Sequence, residues 1–173
     1  MNASKTLLGT VIGTLLLLGS SQAMAVTTLK LSHNHNRDHA VHKAMSEMAK
    51  EVREKTSGEV VIRIYPDAQL GSQRESMELM QNGALDLVKS NAAELESFGA
   101  AYSVFNLPYL FRDKEHLFKV EEGDIGREIL NSTKVSGFVG LTYYDAGARS
   151  LYAKKPISSP SDLKGMKIRV QPS

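Results

Sequence analysis

The sequence predicts an α/β fold, and three observations carry that expectation. Apolar and polar residues alternate in short runs at 29–33, 60–64 and 84–91. Amphipathic stretches at helical spacing separate the runs, and serine, aspartate, glycine and proline stand where helices start and stop. Strand and helix patterns in alternation are the signature of parallel strands joined by right-handed helical crossovers.

Leu29, Leu31 and His33 alternate with Lys30 and Ser32 in a first strand, which runs into the polar cluster His33-Asn34-His35-Asn36-Arg37-Asp38. A strand end that opens into polar residues and a helix start is where open α/β sheets bind ligands. In the next helix Val41, Ala44, Met45, Met48 and Val52 form a stripe to be buried, Gly58 ends it, and Glu51 and Lys55 make an exposed i,i+4 pair. Val60, Ile62 and Ile64 give a second strand. Pro66-Asp67 then turns the chain, and Ser72-Gln73-Arg74-Glu75 reads as a capping box, which assigns Glu75 to the cap rather than to a ligand.

That helix runs to Gly83 and leads to a third strand, Ala84 to Asn91, interrupted by Lys89. Lys89 and Asn91 are two apart and share a strand face, where burial is costly without partners. Two readings follow: both groups aim into a cleft, or Lys89 pairs with a structural acid while Asn91 caps the next turn. Asp113 caps a short helix through Leu117 and Val120, Gly123-Asp124 breaks and restarts it, and Gly137 to Tyr144 is expected as a strand. Ser159-Pro160-Ser161-Asp162 gives an N-cap, a proline at the first helical position and an acid facing the cap, with Gly165 ending the turn. Met166, Ile168 and Val170 then alternate with Lys167, Arg169 and Gln171, a strand whose polar face leads with Arg169. A guanidinium is permanently charged and presents a planar fork of donors suited to gripping a carboxylate.

Composition narrows the function. The formal charge is +2, and loss of Lys5 with an N-terminal leader would lower it to +1. That balance supplies no steering field toward nucleic acid or a membrane surface. Lys5, the apolar run Leu7 to Leu18 and the small-x-small site Ala23-Met24-Ala25 make residues 1–25 a secretory signal, too short to remain as a spanning helix. The chain has no cysteine, which excludes disulfides, thiol chemistry and thiolate metal sites.

Four of the five histidines, His33, His35, His39 and His42, fall within ten residues. His39 and His42 stand i,i+3 at a helix start, a spacing that can bite a metal, so an exported metal-binding protein is the alternative class. Catalysis has less support. There is no Gly-x-Ser-x-Gly elbow, no His-Glu-x-x-His helix and no glycine-rich phosphate loop, and Glu94 and Glu96 are expected to be solvated.

Three stretches together resemble one family. They are Tyr65-Pro66-Asp67-Ala68-Gln69-Leu70-Gly71, Asn106-Leu107-Pro108-Tyr109-Leu110-Phe111-Arg112, and Gly147-Ala148-Arg149-Ser150-Leu151-Tyr152 continued by Lys155-Pro156-Ile157 and Ser159 to Val170. In this order they resemble the DctP-type substrate-binding proteins of TRAP transporters. The resemblance implies a periplasmic binding protein-like two-lobed fold, with residues 26–145 as the first lobe and 146–173 as the hinge and the opening of a second lobe truncated in this chain. It implies a receptor that binds a small organic acid in the periplasm, closes about a hinge near Asp145 to Gly147 and delivers its ligand to a small and a large membrane subunit. No enzyme, cofactor or metal is implied. Arg169 matches the family's paired carboxylate contact, and Arg149 matches a second arginine near the site, or is a structural partner of Asp145 or of an interlobe acid. Asn34 and Asn91 match positions that touch the ligand from the first lobe. Some members, sialic-acid binders among them, carry a glutamate at the position of Asn91. A neutral amide suits hydroxyl groups, and with His33 and Lys89 nearby the expectation is a sugar acid such as a uronate over a C4-dicarboxylate.

Overall fold

The computed structural model describes residues 25–145, 147 and 150–170. The signal segment expected at 1–25 therefore lies almost wholly outside the described residues, as does Arg149.

Three parallel strands make the sheet, in the order β2-β1-β3: β1 is Thr27–Ser32, β2 Val60–Tyr65 and β3 Leu87–Val88. Thr27 to Ser32 pair in register with Val60 to Tyr65, and Leu31 and Ser32 pair with Leu87 and Val88. The helix α1, Ala40–Lys55, packs on β1 and β2, burying Val41 and Met45 against Leu31, with Met48, Ile62, Ile64 and Leu87 closing the cluster. Ala44, expected in that stripe, is exposed, because the covered arc centres on Val41 and Met45 and continues through Met48 and Val52. The Glu51–Lys55 pair forms at 3.0 Å.

Helix α2, Gln73–Gln81, starts on the expected box: the Ser72 hydroxyl accepts the Glu75 N–H at 3.2 Å, and the Glu75 carboxylate accepts the Ser72 N–H at 2.7 Å. Those bonds hold the Glu75 carboxyl below its usual range. β3 is shorter than the apolar run predicts, since only Leu87 and Val88 pair before the chain turns into α3, Ala92–Leu95. Helices α4, Lys114–Glu121, and α5, Asp124–Ser132, follow, α4 capped by the Asp113 carboxylate accepting the His116 N–H at 2.7 Å. They approach closely at Gly126, where a Cβ would lie 2.0 Å from the Glu121 carbonyl. Tyr102, Phe105, Phe111 and Tyr143 make an aromatic second core beside them.

Two expected strands do not form. Gly137 to Tyr144 and Met166 to Val170 carry no ladder, and Leu141, Ile168 and Val170 are exposed. The local signals before the second of these hold: Ser159 and Asp162 make their capping box and Gly165 takes φ +79°. Alternation is a condition for a strand, but pairing with a neighbour completes it, and neither run has such a neighbour among the described residues.

Candidate functional site

The carboxyl ends of the three parallel strands gather most of the candidate residues. β1 continues into His33, Asn34 and His35; β2 ends at Tyr65 and turns through Pro66, Asp67 and Ala68; β3 leads to Lys89, Ser90 and Asn91. Backbone bonds lock the three ends together: His33 N–H to the Tyr65 carbonyl at 3.1 Å, Lys89 N–H to the Ser32 carbonyl at 3.0 Å, and Asp67 N–H to the His35 carbonyl at 2.9 Å. Asp67 and Ala68 both adopt positive φ, 56° and 54°, a conformation disfavoured for side chains with a Cβ. Strain of this kind collects where a loop is shaped for a task.

Lys89 is half-buried, and its ammonium donates to the Asn91 side-chain oxygen at 2.6 Å. Burial pulls its pKa below the usual lysine value. The structural acid considered as its partner does not appear among its bonds. Asn91 sits at the N-cap position of α3 without a side-chain capping bond, while its N–H donates to the Gln73 side-chain oxygen at 2.8 Å. Asn91 therefore does not serve as the side-chain cap of the next turn. The Ser90 hydroxyl between them is buried with no hydrogen-bond partner.

His33 is 2% exposed and uses both ring nitrogens within the protein: Nδ1 accepts the His35 N–H at 3.1 Å, and Nε2 lies 2.9 Å from His42 Nδ1. Burial first, then the neighbouring His42 and Lys89, lowers its pKa. His35 stacks on His39 with ring centroids 4.0 Å apart, and burial, followed by the charge of Lys89, pushes its pKa down to about 4. His39 Nδ1 accepts the Val41 N–H at 3.1 Å and so caps α1. The metal-binding alternative is not supported by this arrangement. Nitrogens of His33, His39 and His42 are already spent on hydrogen bonds, and among the described residues no three metal-ligating side chains converge.

Asn34 is exposed at the tip of the β1–α1 turn. Arg169 is exposed on the irregular segment after Gly165 and makes no ion pair among the described residues. The structure thus brings His33, Asn34, Lys89 and Asn91 to the carboxyl ends of the strands, and among the described residues no hydrogen bond or ion pair joins Arg169 to them. Glu94 and Glu96 are half-buried rather than solvated, Glu96 being held by the Asn106 amide. His42 is expected from the sequence only as a metal ligand and Gln73 only as part of a capping box; their bonds to His33 and Asn91 are not legible there. A helix position reveals which face it shares, but not which loop nitrogen lies opposite. Two shallow grooves lie elsewhere, one of about 370 Å³ along Leu151 to Ile157 and one of about 280 Å³ between α4, α5 and Leu141 to Asp145; neither is lined by these sheet-edge side chains.

Comparison with known proteins places the chain. Residues 31–173 match the family described as bacterial extracellular solute-binding protein, family 7 (DctP). The C4-dicarboxylate-binding periplasmic protein DctP of Rhodobacter capsulatus is 31% identical over 177 residues, covering 98% of this chain and 52% of that protein. The TRAP periplasmic solute-binding protein of Xanthobacter autotrophicus Py2, solved with bound β-D-galacturonate, superposes with a TM-score of 0.79 at 42% identity, over 83% of this chain and 48% of that one. That of Pseudomonas putida F1, solved with bound D-glucuronate, gives 0.79 at 36% identity over the same shares. The chain spans about half the length of the relatives it matches. Among the described residues no helix is long and apolar enough to cross a membrane.

Proposed function

The chain belongs to the DctP family of bacterial extracellular solute-binding proteins, and from that premise we propose that it is the periplasmic receptor of a TRAP-type transporter for a uronate. The bound ligand of two solved relatives, galacturonate in one and glucuronate in the other, is the observation that carries the ligand class. The sheet edge of this chain supports it. A uronate carries one carboxylate and several hydroxyls, and Asn34 and Asn91 offer amides that both donate and accept.

In this reading Arg169 grips the carboxylate bidentately and Arg149 stands second to it. Lys89, already bonded to Asn91, donates to a ring or exocyclic oxygen. His33, with its nitrogens committed, shapes the wall. Residues 26–145 form one lobe, and closure turns about Asp145 to Gly147. Asp145 is suited to organise such a hinge: its carboxylate accepts the Lys114 ammonium at 2.6 Å and the Gly147 N–H at 2.8 Å, contacts that in that order lower its pKa. Closing both lobes on the acid produces the form that a small and a large membrane subunit would receive. The protein breaks no covalent bond in this cycle and needs no cofactor.

A C4-dicarboxylate is the second reading, favoured by the Rhodobacter relative. Lys89 is the cation that a second carboxylate would use. A thermal-shift screen of the full-length protein with uronates, aldonates, succinate and Zn²⁺ separates the readings. A ligand at a hundred times its Kd stabilises by about 2.7 kcal/mol, and that rise is expected with D-glucuronate or D-galacturonate. A response to succinate alone favours the second reading, and a response to Zn²⁺ with none to any acid overturns both.

A further inference from the structure

Asn34 lies inside a turn that is closed from three sides. The His33 ring reaches over it to accept the His35 N–H, and the carbonyls of His33 and His35 accept the N–H groups of Ala68 and Asp67 at 3.1 and 2.9 Å. The last two contacts come from the strained pair at the end of β2. The backbone on both sides of Asn34 is therefore held, while its side chain is free to face a ligand.

One of these closures depends on a proton. A ring nitrogen that accepts an N–H carries no hydrogen itself, so the bond from His35 places the single proton of neutral His33 on Nε2. That Nε2–H points at His42 Nδ1, 2.9 Å away, which must then be an acceptor with its own proton on Nε2. The His42 Nε2 in turn faces the Ser46 hydroxyl at 3.4 Å, and that hydroxyl donates to the His42 carbonyl at 2.9 Å. The opposite tautomer of His33 would set an N–H against the His35 N–H and open the turn.

We infer that His42, by accepting the Nε2–H of His33, selects the imidazole tautomer that closes the turn around Asn34 and is a positioning residue for the Asn34 amide. The assignment rests on the reading of Asn34 as a ligand contact. The groups facing His33 favour its neutral form: Lys89 from the end of β3 and His42 and His39 from α1 and its cap oppose a proton, and only Asp67 from the end of β2 favours one.

The test uses the full-length protein with three readouts: the ¹⁵N resonances of the His33 ring, exchange protection of the His35 amide, and calorimetric affinity for D-glucuronate and D-galacturonate. In the wild type Nδ1 of His33 is expected unprotonated and the His35 amide protected. His42→Ala is expected to weaken uronate binding about tenfold and to spread the proton over both His33 nitrogens. His42→Asn, which keeps an acceptor near the place of Nδ1, should bind within about threefold of wild type. A proton on His33 Nδ1 in the wild type, or wild-type affinity in His42→Ala, overturns the inference. Should His42→Ala fail to fold, the wild-type tautomer and the His42→Asn affinity decide. Should the wild type bind neither uronate, the functional reading falls, while the ring resonances still decide whether His42 sets the tautomer.

Discussion

Val60–Tyr65 and Met166–Val170 carry one pattern, an apolar residue at every second position, yet the first is a ladder strand and the second an exposed irregular segment. β2 lies beside β1, pairs with it over six residues and covers its inner face with α1. Among the described residues nothing gives Met166, Ile168 and Val170 such cover, and they stand 40%, 42% and 76% exposed. Local signals are satisfied in both regions: Ser72 and Glu75 close one capping box, Ser159 and Asp162 another. What separates them is the set of contacts distant in sequence.

The sharpest way to break that contrast is truncation of one apolar side chain in each region. Met45→Ala, at 2% exposure beneath β1, should cost about 2–5 kcal/mol. Ile168→Ala in this chain should stay within about 0.5 kcal/mol. Urea unfolding measures both, and equal costs would show that the C-terminal segment is packed after all.

Stability and function should divide oppositely between the two regions. In the full-length protein Arg169→Ala should weaken uronate binding about a hundredfold, the cost of leaving a desolvated carboxylate without its partner. Glu94→Ala, outside the proposed contacts, should leave the affinity nearly unchanged. Calorimetry that finds both variants near wild type removes Arg169 from the site.

Acid sharpens the comparison, because the depressed histidines lie only in the first region. The folded pKa of His35 is about 4, below the ordinary 6.5. Between those values the unfolded chain binds a proton that the folded chain does not, so stability present above about pH 6.5 declines as the pH falls toward about 4. His33, also depressed, adds to the same slope. Melting temperatures recorded across that window should fall, and His35→Asn should flatten the curve.

The smallest expected effect concerns the caps. Ser72→Ala removes the acceptor for the Glu75 N–H from a helix packed on the sheet and should cost about 1 kcal/mol. Ser159→Ala, in an exposed turn, should cost less than about 0.5 kcal/mol. Thermal melts compare the two, and a larger loss at Ser159 would mean that its turn is coupled to more than itself.

Much of the first lobe was legible because its signals are short-range. The arc Val41, Met45, Met48, the cap at Ser72 and the stop at Gly58 each depend on residues within a turn or two of one another. The polar end of β1 was also readable, since His33 to Asp38 is a polar run directly after an apolar one. The length of β3 was not, for an apolar run does not record how far its neighbour extends. Nor were the roles of His42 and Gln73, whose partners lie nine and eighteen residues away and meet them only when α1 and α2 pack on the sheet.

By itself the sequence determined where α2, α4 and α5 begin, roughly where α1 and α2 end, which strand ends are polar and which family the chain resembles, because caps, periodicity and motifs are properties of neighbouring residues. Only the tertiary structure decided that Lys89 bonds Asn91, that the four histidines are tied into turns and caps, and that the alternating run around Arg169 has no ladder partner among the described residues. Those outcomes depend on which groups meet across the fold. A buried ring nitrogen or a strand edge takes whatever partner packing brings to it.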